Sequence, residues 1–129
     1  MASCDLQHAF SCLSDVEPTD RSGEHGGVGA IVFRRMLRDD AFAAPVDFVD
    51  VTRIPPQSTI GLHHHPDTEE IYIVLAGEPI VSVDGTARRL RRGDVSVVHT
   101  GGSHALENDT DCDVEIAVVQ LRVPSVCPT

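Results

Sequence analysis

Residues 61–77 read GLHHHPDTEEIYIVLAG and join three consecutive histidines to a run of aliphatic residues. An extended backbone turns alternate side chains to opposite faces. This pattern predicts that His63 and His65 share one face, where both can bind the same ion, while His64 projects from the other. After the proline turn, β-branched and aliphatic residues favour a second strand over a helix.

The second strand of this hairpin brings a carboxylate to the two histidines. Glu70 and Tyr72 share one face of that strand, and Ile71 lies on the opposite face with other apolar residues. Glu70 is therefore predicted to face the histidine pair across the turn. Glu69, like His64, is predicted to point into solvent.

A further metal-ligand candidate lies in the segment GDVSVVHTGGSHALEN, residues 93–108. Its second histidine, His104, follows a glycine turn and opens a strand. Three imidazole nitrogens and one carboxylate oxygen can hold Fe, Mn, Ni, Zn, Cu or Co and leave coordination positions open, as a catalytic metal requires. The predicted ligands of one divalent transition metal ion are His63, His65, Glu70 and His104.

The rest of the chain indicates an all-β fold. From Ala30 onward short strands alternate with turn residues, and Asp84-Gly85 is a hairpin signal because both residues tolerate positive φ. Many short strands in one domain of 129 residues predict a sandwich or small barrel. The predicted boundaries are an N-terminal arm at 1–27 with one short helical candidate at 5–15, a barrel at 28–124 and a C-terminal tail at 125–129.

These residues resemble the two sequence motifs of the cupin superfamily. The first motif, G-x5-H-x-H-x3,4-E-x6-G, is matched except at its opening glycine, which falls on Gln57. The second, G-x5-P-x-G-x2-H-x3-N, is matched except at its proline, which His99 replaces. The matching positions are His63, His65, Glu70, Gly77, Gly93, Gly101, His104 and Asn108.

The resemblance spans roughly residues 46–123 and rests on two motifs in order with every ligand position filled. It implies a small single-domain cupin with a metal-binding jelly-roll barrel, also called a double-stranded β-helix. It also implies a homodimer, in which a second copy covers an apolar strand edge or the N-terminal arm.

Two residues near the predicted ligands are candidates for catalysis. His99 replaces the proline of the second motif, and its imidazole can serve as an acid, a base or a substrate contact. An exposed turn residue is the alternative. Tyr72 shares a face with Glu70 and can hydrogen-bond a substrate or donate a proton, and the alternative is a tyrosine that packs in the core.

The resemblance implies two broad kinds of chemistry. The first is dioxygenase-like oxidation of a small metabolite, the more frequent kind in the family. The second is a non-redox cyclase, isomerase or lyase reaction of specialised metabolism with Zn, Mn or Ni. A metal-containing module that binds a small molecule without turnover is the third hypothesis. An aromatic content of 4% argues against stacking of a large flat substrate and favours a small carboxylate- or carbonyl-bearing one.

Composition excludes several other classes. The net charge of −10 disfavours nucleic acid as a partner. All ten basic residues are arginine, which excludes Schiff-base chemistry and the P-loop lysine. The sequence contains no apolar run long enough to cross a membrane and no apolar signal segment, so a cytoplasmic protein with reduced thiols is expected.

Overall fold

Short strands fold into two antiparallel sheets in the computed structural model, which describes residues 9–124. The sheets face each other across an apolar core, and the predicted all-β fold is confirmed. The described strands are β1 (Thr19–Ser22), β2 (Ala30–Arg38), β3 (Val46–Ile54), β4 (Thr59–His64), β5 (Thr68–Ala76), β6 (Ile80–Val83), β7 (Thr86–Arg89), β8 (Val95–Val98), β9 (Ser103–Glu107) and β10 (Val114–Arg122).

The strands are distributed unequally between the two sheets. The larger sheet has the order β1-β2-β3-β10-β5-β8, and the smaller sheet has the order β4-β9-β6-β7. The predicted hairpin turn is present between β6 and β7, where Asp84 and Gly85 have φ values of 49° and 84°. Because β4 and β5 belong to different sheets, the histidine-proline turn crosses from one wall of the barrel to the other.

The core lies between the inner faces of the two sheets. Alternate residues of β5 and β10 point inward, and Val74, Val114 and Ile116 are almost completely buried. Asn108, the last residue of the second motif, is also fully buried. Its amide donates to the carbonyls of Ile54 at 2.9 Å and Cys112 at 2.7 Å. These two hydrogen bonds fix the loop after β9 against the end of β3.

The N-terminal region contributes to the larger sheet. Its strand β1 pairs antiparallel with β2. The helix predicted at 5–15 lies partly outside the described residues, and within 9–15 the chain forms only a 3-10 turn at Leu13–Asp15. Two further 3-10 turns span Glu24–Gly26 and Asp39–Ala41. The predicted tail at 125–129 lies outside the described residues.

The segment after β1 packs closely on β4. The backbone amide of Val28 donates to Thr59 Oγ1 at 2.8 Å, and the amide of Thr59 donates to the Val28 carbonyl at 2.9 Å. A Cβ at Gly61 would lie 2.1 Å from the carbonyl oxygen of His25. Glycine is therefore required at position 61 by the close approach of the two backbones.

None of the helices in the described part of the chain has the length and apolar character to span a membrane.

Candidate metal centre

Four side chains converge between the two sheets. His63 lies near the end of β4, His65 follows that strand, Glu70 lies on β5 and His104 lies on β9. His63 and His104 are cross-strand partners, so their imidazoles leave the sheet side by side. One ligand atom from each of the four residues lies within 4.8 Å of the others. The structure thus brings together the residues that the sequence predicted as metal ligands.

The imidazole Nε2 atoms meet around His104. His104 Nε2 lies 3.0 Å from His63 Nε2, 3.1 Å from His65 Nε2 and 3.1 Å from Glu70 Oε1. Nitrogen lone pairs and a carboxylate oxygen at such distances repel one another unless a proton or a cation lies among them. Three nitrogens and one oxygen are a donor set that suits a divalent transition metal.

Contacts made by the Nδ1 atoms of His63 and His65 orient the two rings, so that their Nε2 atoms point to the place where the four side chains meet. His63 Nδ1 donates to the carbonyl of Gly61 at 2.7 Å, which leaves Nε2 of a neutral ring as an acceptor. His65 Nδ1 makes a 2.8 Å contact with Thr68 Oγ1. Such contacts set the tautomer and direction of metal-ligating histidines. The four residues therefore fit a metal ion.

Burial keeps the three imidazoles neutral. It lowers the pKa of His63 and of His104 to about 4, and it also lowers the pKa of His65. Burial raises the pKa of Glu70 to about 7, although the neighbouring His65 opposes this shift. Metal binding needs unprotonated nitrogens and an ionised carboxylate. At neutral pH the histidines already meet this condition, and Glu70 is half protonated.

Tyr72 packs flat against His104, one of the four predicted ligands. Its ring lies 4.5 Å from that of His104 with an interplanar angle of 17°, and the residue is 2% exposed. Burial, and then the charge of Glu70, raises the pKa of the Tyr72 hydroxyl well above its usual value. The buried Nδ1 of His104 has no hydrogen-bond partner among the described residues. Stacking on Tyr72 therefore helps to fix this ring.

His99 and the two residues expected in solvent lie away from the cluster. The side chain of His99 is 72% exposed, and its Nδ1 lies 2.9 Å from Glu69 Oε2. His99 is not among the residues that line the cavity beside the cluster. His64 is exposed, as the alternation along β4 predicts. His99 therefore lies apart from the four predicted ligands, and its catalytic role stays a prediction.

A cavity of about 220 Å³ opens beside the cluster, and His63, Glu70 and Tyr72 form one of its walls. A second wall is apolar and consists of Ile31, Phe33, Phe48, Ile60 and Val118. The remaining lining residues are polar or charged: Arg21, Glu24, His25, Arg35, Asp50 and Thr52. A cavity of this size accepts a small molecule in contact with both the ligands and an arginine.

Sequence reasoning did not single out Arg35, which lines the cavity. Arg35 Nε and Nη2 donate to the two carboxylate oxygens of Asp50 at 2.9 Å and 3.0 Å. The guanidinium also lies 4.1 Å from the ring centroid of Phe48. These contacts hold the cation in one place. An inward-facing aspartate in the strand VDFVDVTRI was the available signal, because such a position is usually apolar.

His25 is a second residue that sequence reasoning missed. Its ring stacks on His63 with a centroid separation of 3.7 Å and an interplanar angle of 11°. Its backbone has a φ of 51°, which is uncommon for a residue other than glycine. The surrounding sequence, SGEHGGVG, indicates only a glycine-rich turn. No local pattern shows that this turn covers a predicted metal ligand.

A sequence model of the cupin domain matches residues 50–120. The oxalate-binding protein of Thermotoga maritima is 31% identical over 106 residues, which cover 82% of this chain and 88% of that protein. The tetracenomycin polyketide synthase protein TcmJ of Streptomyces glaucescens is 27% identical over 96 residues, or 74% of this chain and 60% of that protein.

Solved structures with a similar fold include both near and distant relatives. A predicted oxalate decarboxylase from Thermotoga maritima has a TM-score of 0.85 at 29% identity, over 88% of this chain and 99% of that one. KdgF from a Halomonas species has a TM-score of 0.70 at 17% identity, over 90% and 94% of the two chains. At 17% identity the second likeness is evidence for the fold alone.

Proposed function

Because this chain belongs to the cupin family, we propose that it is a metal-dependent enzyme acting on a small carboxylate- or carbonyl-bearing metabolite that coordinates the metal. The observation that carries this proposal is the convergence of three imidazole nitrogens and one carboxylate oxygen beside a small cavity. The proposed ligands are the Nε2 atoms of His63, His65 and His104 and the carboxylate of Glu70. A bound Fe, Mn, Ni, Zn, Cu or Co ion would supply a Lewis acid and, for the redox metals, electron transfer.

A carboxylate substrate is supported by the two arginines that line the cavity, each of which is paired with one carboxylate. Arg35 is held rigidly by Asp50, and it uses only two of its donor groups in that pair. Arg21 has a looser partner, a single 3.3 Å contact with Glu24 Oε2. We propose that one end of the substrate binds the metal while Arg35 binds an anionic or carbonyl oxygen at the other end. Oxalate, the ligand in the name of the Thermotoga relative, has this chemistry.

Tyr72 is the residue that we propose as a hydrogen-bond donor to the substrate. Its raised pKa keeps the hydroxyl protonated at neutral pH, and the residue lines the cavity beside Glu70. A catalytic role for His99 stays a prediction from the sequence. His99 contacts Glu69 and is not among the residues that line the cavity.

For the reaction itself, we propose dioxygenase-like oxidation of the bound metabolite. Two alternatives have specific support. Binding without turnover is supported by the name of the Thermotoga oxalate-binding protein. A non-redox cyclase, isomerase or lyase reaction is supported by the likeness to a polyketide synthase protein. We propose the cytoplasm as the compartment, as the sequence alone predicts, and Cys12 and Cys112 form no disulfide within the described residues.

Metal analysis of the purified protein, followed by incubation with oxalate and other small carboxylic acids in an oxygen electrode, separates these alternatives. Iron together with substrate-dependent oxygen uptake supports oxidation. Product without oxygen uptake supports the non-redox reaction, and saturable binding without product supports the binding module. If the folded protein retains no transition metal after reconstitution with each of the six ions, the proposed metal centre is rejected.

A further inference from the structure

Four of the residues that line the cavity form one row across the inner face of the larger sheet. Tyr72 on β5 pairs with Val118 on β10. Val118 also pairs with Asp50 on β3, and Asp50 pairs with Arg35 on β2. All four side chains line the cavity. The row therefore leads from the strand that carries Glu70, past an apolar side chain, to an ion pair.

The ion pair at the far end of this row is neutral as a whole. Asp50 is 6% exposed, and its two carboxylate oxygens accept from Arg35 Nε and Nη2 at 2.9 Å and 3.0 Å. These bonds use two of the five guanidinium donors, and each carboxylate oxygen keeps a second lone pair. A ligand atom at this place meets hydrogen-bond donors and acceptors side by side.

The second ion pair of the cavity is also balanced in charge. Arg21 Nη1 contacts Glu24 Oε2 at 3.3 Å, and the side chain of Glu24 is 17% exposed. Among the described residues that line the cavity, two arginines thus stand beside two carboxylates when the predicted ligand Glu70 is left aside. These residues supply no net positive charge that would attract a second anionic group.

The strand order sets the distance that a bound molecule has to span. Because β10 lies between β5 and β3, the backbones at Tyr72 and Asp50 are two strand spacings apart, or about 9.6 Å. An extended chain advances about 3.5 Å for every three bonds, so a molecule bound at both ends needs about four to six carbons. Oxalate, with two carbons, reaches only the metal. Val118 would contact the middle of the longer molecule.

We propose that the substrate is a monocarboxylic acid of this length whose far end carries an uncharged group that both accepts and donates hydrogen bonds, a hydroxyl or a carboxamide. This inference rests on the proposed function and narrows the oxygen at Arg35 to one of such a group. That oxygen accepts from Arg35, and the O–H or N–H donates to Asp50. A carboxylate there would lie against the oxygens of Asp50, and a methyl group would bury the ion pair without hydrogen bonds.

Ligands that differ only at the far end test this assignment. The six-carbon set is 6-hydroxyhexanoate, the monoamide of adipate, adipate and hexanoate, and the four-carbon set is built in the same way on butanoate. Calorimetric titration of zinc-loaded protein gives each affinity without requiring turnover. In at least one set the hydroxyl or amide compound should bind about tenfold more tightly than both the dicarboxylate and the alkanoate.

A net charge of −10 weakens the binding of any dianion, so a matched pair of variants isolates the effect of Asp50. Asp50→Asn removes the negative charge beside Arg35 and should raise the affinity for the dicarboxylate about tenfold relative to the hydroxy acid. Asp47→Asn changes the net charge equally on the same strand. Asp47 pairs with Arg122 at 2.6 Å and does not line this cavity, so its substitution should leave the ratio unchanged.

Circular dichroism establishes whether each variant is folded, and the wild-type ranking tests the proposal if Asp50→Asn does not fold. A dicarboxylate or alkanoate that binds the wild type as tightly as the hydroxyl and amide compounds in both sets overturns the inference. Equal ratios in Asp50→Asn and Asp47→Asn overturn it as well. Both results leave the proposed function standing, since the carboxylate end still binds. If none of the compounds binds the zinc-loaded protein, the proposed function fails together with the inference.

Discussion

At the scale of single residues, the stacking of His25 on His63 ties the N-terminal turn to the metal centre. Because the two rings lie parallel at 3.7 Å, His25 restricts the tilt of this ligand. We expect His25→Ala to weaken metal binding about tenfold, the lower end of the range for residues that orient a ligand. His25→Phe keeps a flat ring in the same place and should change affinity less than threefold. Competition with a chelating dye measures both.

The two variants share the backbone cost of a positive φ at position 25, so the comparison isolates the ring. Equal losses in His25→Ala and His25→Phe would show that a ring nitrogen, rather than stacking, matters. Unchanged affinity in both would show that His63 needs no support beyond its hydrogen bond to Gly61.

Glu70 makes metal binding depend on pH. Its raised pKa of about 7 means that the apo protein holds a proton there at pH 6, while the pKa of about 4 at His63 and His104 leaves those rings neutral. Binding should therefore release about one proton per ion at pH 6 and almost none at pH 8. Calorimetry in buffers of different ionisation enthalpy counts these protons. Glu70→Gln should abolish the release at pH 6, and a release that persists would assign it to a histidine instead.

At the scale of elements, the contact between the turn at 23–29 and strand β4 depends on Gly61. A side chain at this position would meet the His25 carbonyl, so Gly61→Ala must push the turn away from β4. We expect a loss of about 2 kcal/mol in unfolding free energy and weaker metal binding, because the Gly61 carbonyl also orients His63. Urea unfolding and dye competition measure the two effects.

Gly26→Ala is the matched control for this prediction. Gly26 has a φ of 77° and open space around its Cβ position, so alanine there adds backbone strain without a clash. It should cost about 1 kcal/mol and leave metal affinity nearly unchanged. If Gly61→Ala resembles Gly26→Ala in both measurements, the approach of the turn to β4 does not matter for the site.

The sequence predicts best those parts of the site whose residues lie close together along the chain. His63, His65 and Glu70 lie close together along the chain, and period-two alternation predicts their facing although β4 and β5 join different sheets and do not form the predicted hairpin. His104 could be predicted because its motif resembles that of a known family. Arg35 and Asp50 lie on β2 and β3, and only the long-range pairing of those strands brings the two side chains together at the cavity.

Gln57 shows how a departure from a sequence motif is accommodated. The motif has glycine at this position, and the structure keeps the left-handed conformation with a φ of 62°. The backbone amide of Gln57 donates to the Asn108 carbonyl at 2.8 Å, and its side-chain amide donates to the Thr110 carbonyl at 3.2 Å. These contacts offset the strain that glycine would avoid. The sequence alone showed the replacement but not its conformation.

At the scale of the whole molecule, the ligand cluster makes the apo protein sensitive to acid. The pKa of His63 and of His104 is lowered from 6.5 to about 4, so the unfolded chain binds more protons at these sites below pH 6.5, and their contribution to stability is lost as the pH falls toward 4. Glu70 acts in the opposite direction, because its pKa is raised from 4.5 to about 7 and its contribution is lost as the pH rises through that window. As the pH falls from 6.5 to 4.5, the stability lost at the two histidines exceeds the stability gained at Glu70.

The melting temperature of the apo protein should therefore fall by several degrees between pH 7 and pH 5. An ion at 100 times its dissociation constant adds about 2.7 kcal/mol to the stability of the native state. The gap between loaded and apo protein should be largest near pH 8, where Glu70 is ionised, and should shrink at lower pH as protons compete for Glu70 and then for the histidines. Differential scanning calorimetry at four pH values measures both curves. A loaded protein whose melting temperature equals that of the apo protein at pH 7 would mean that the four converging side chains do not hold the ion.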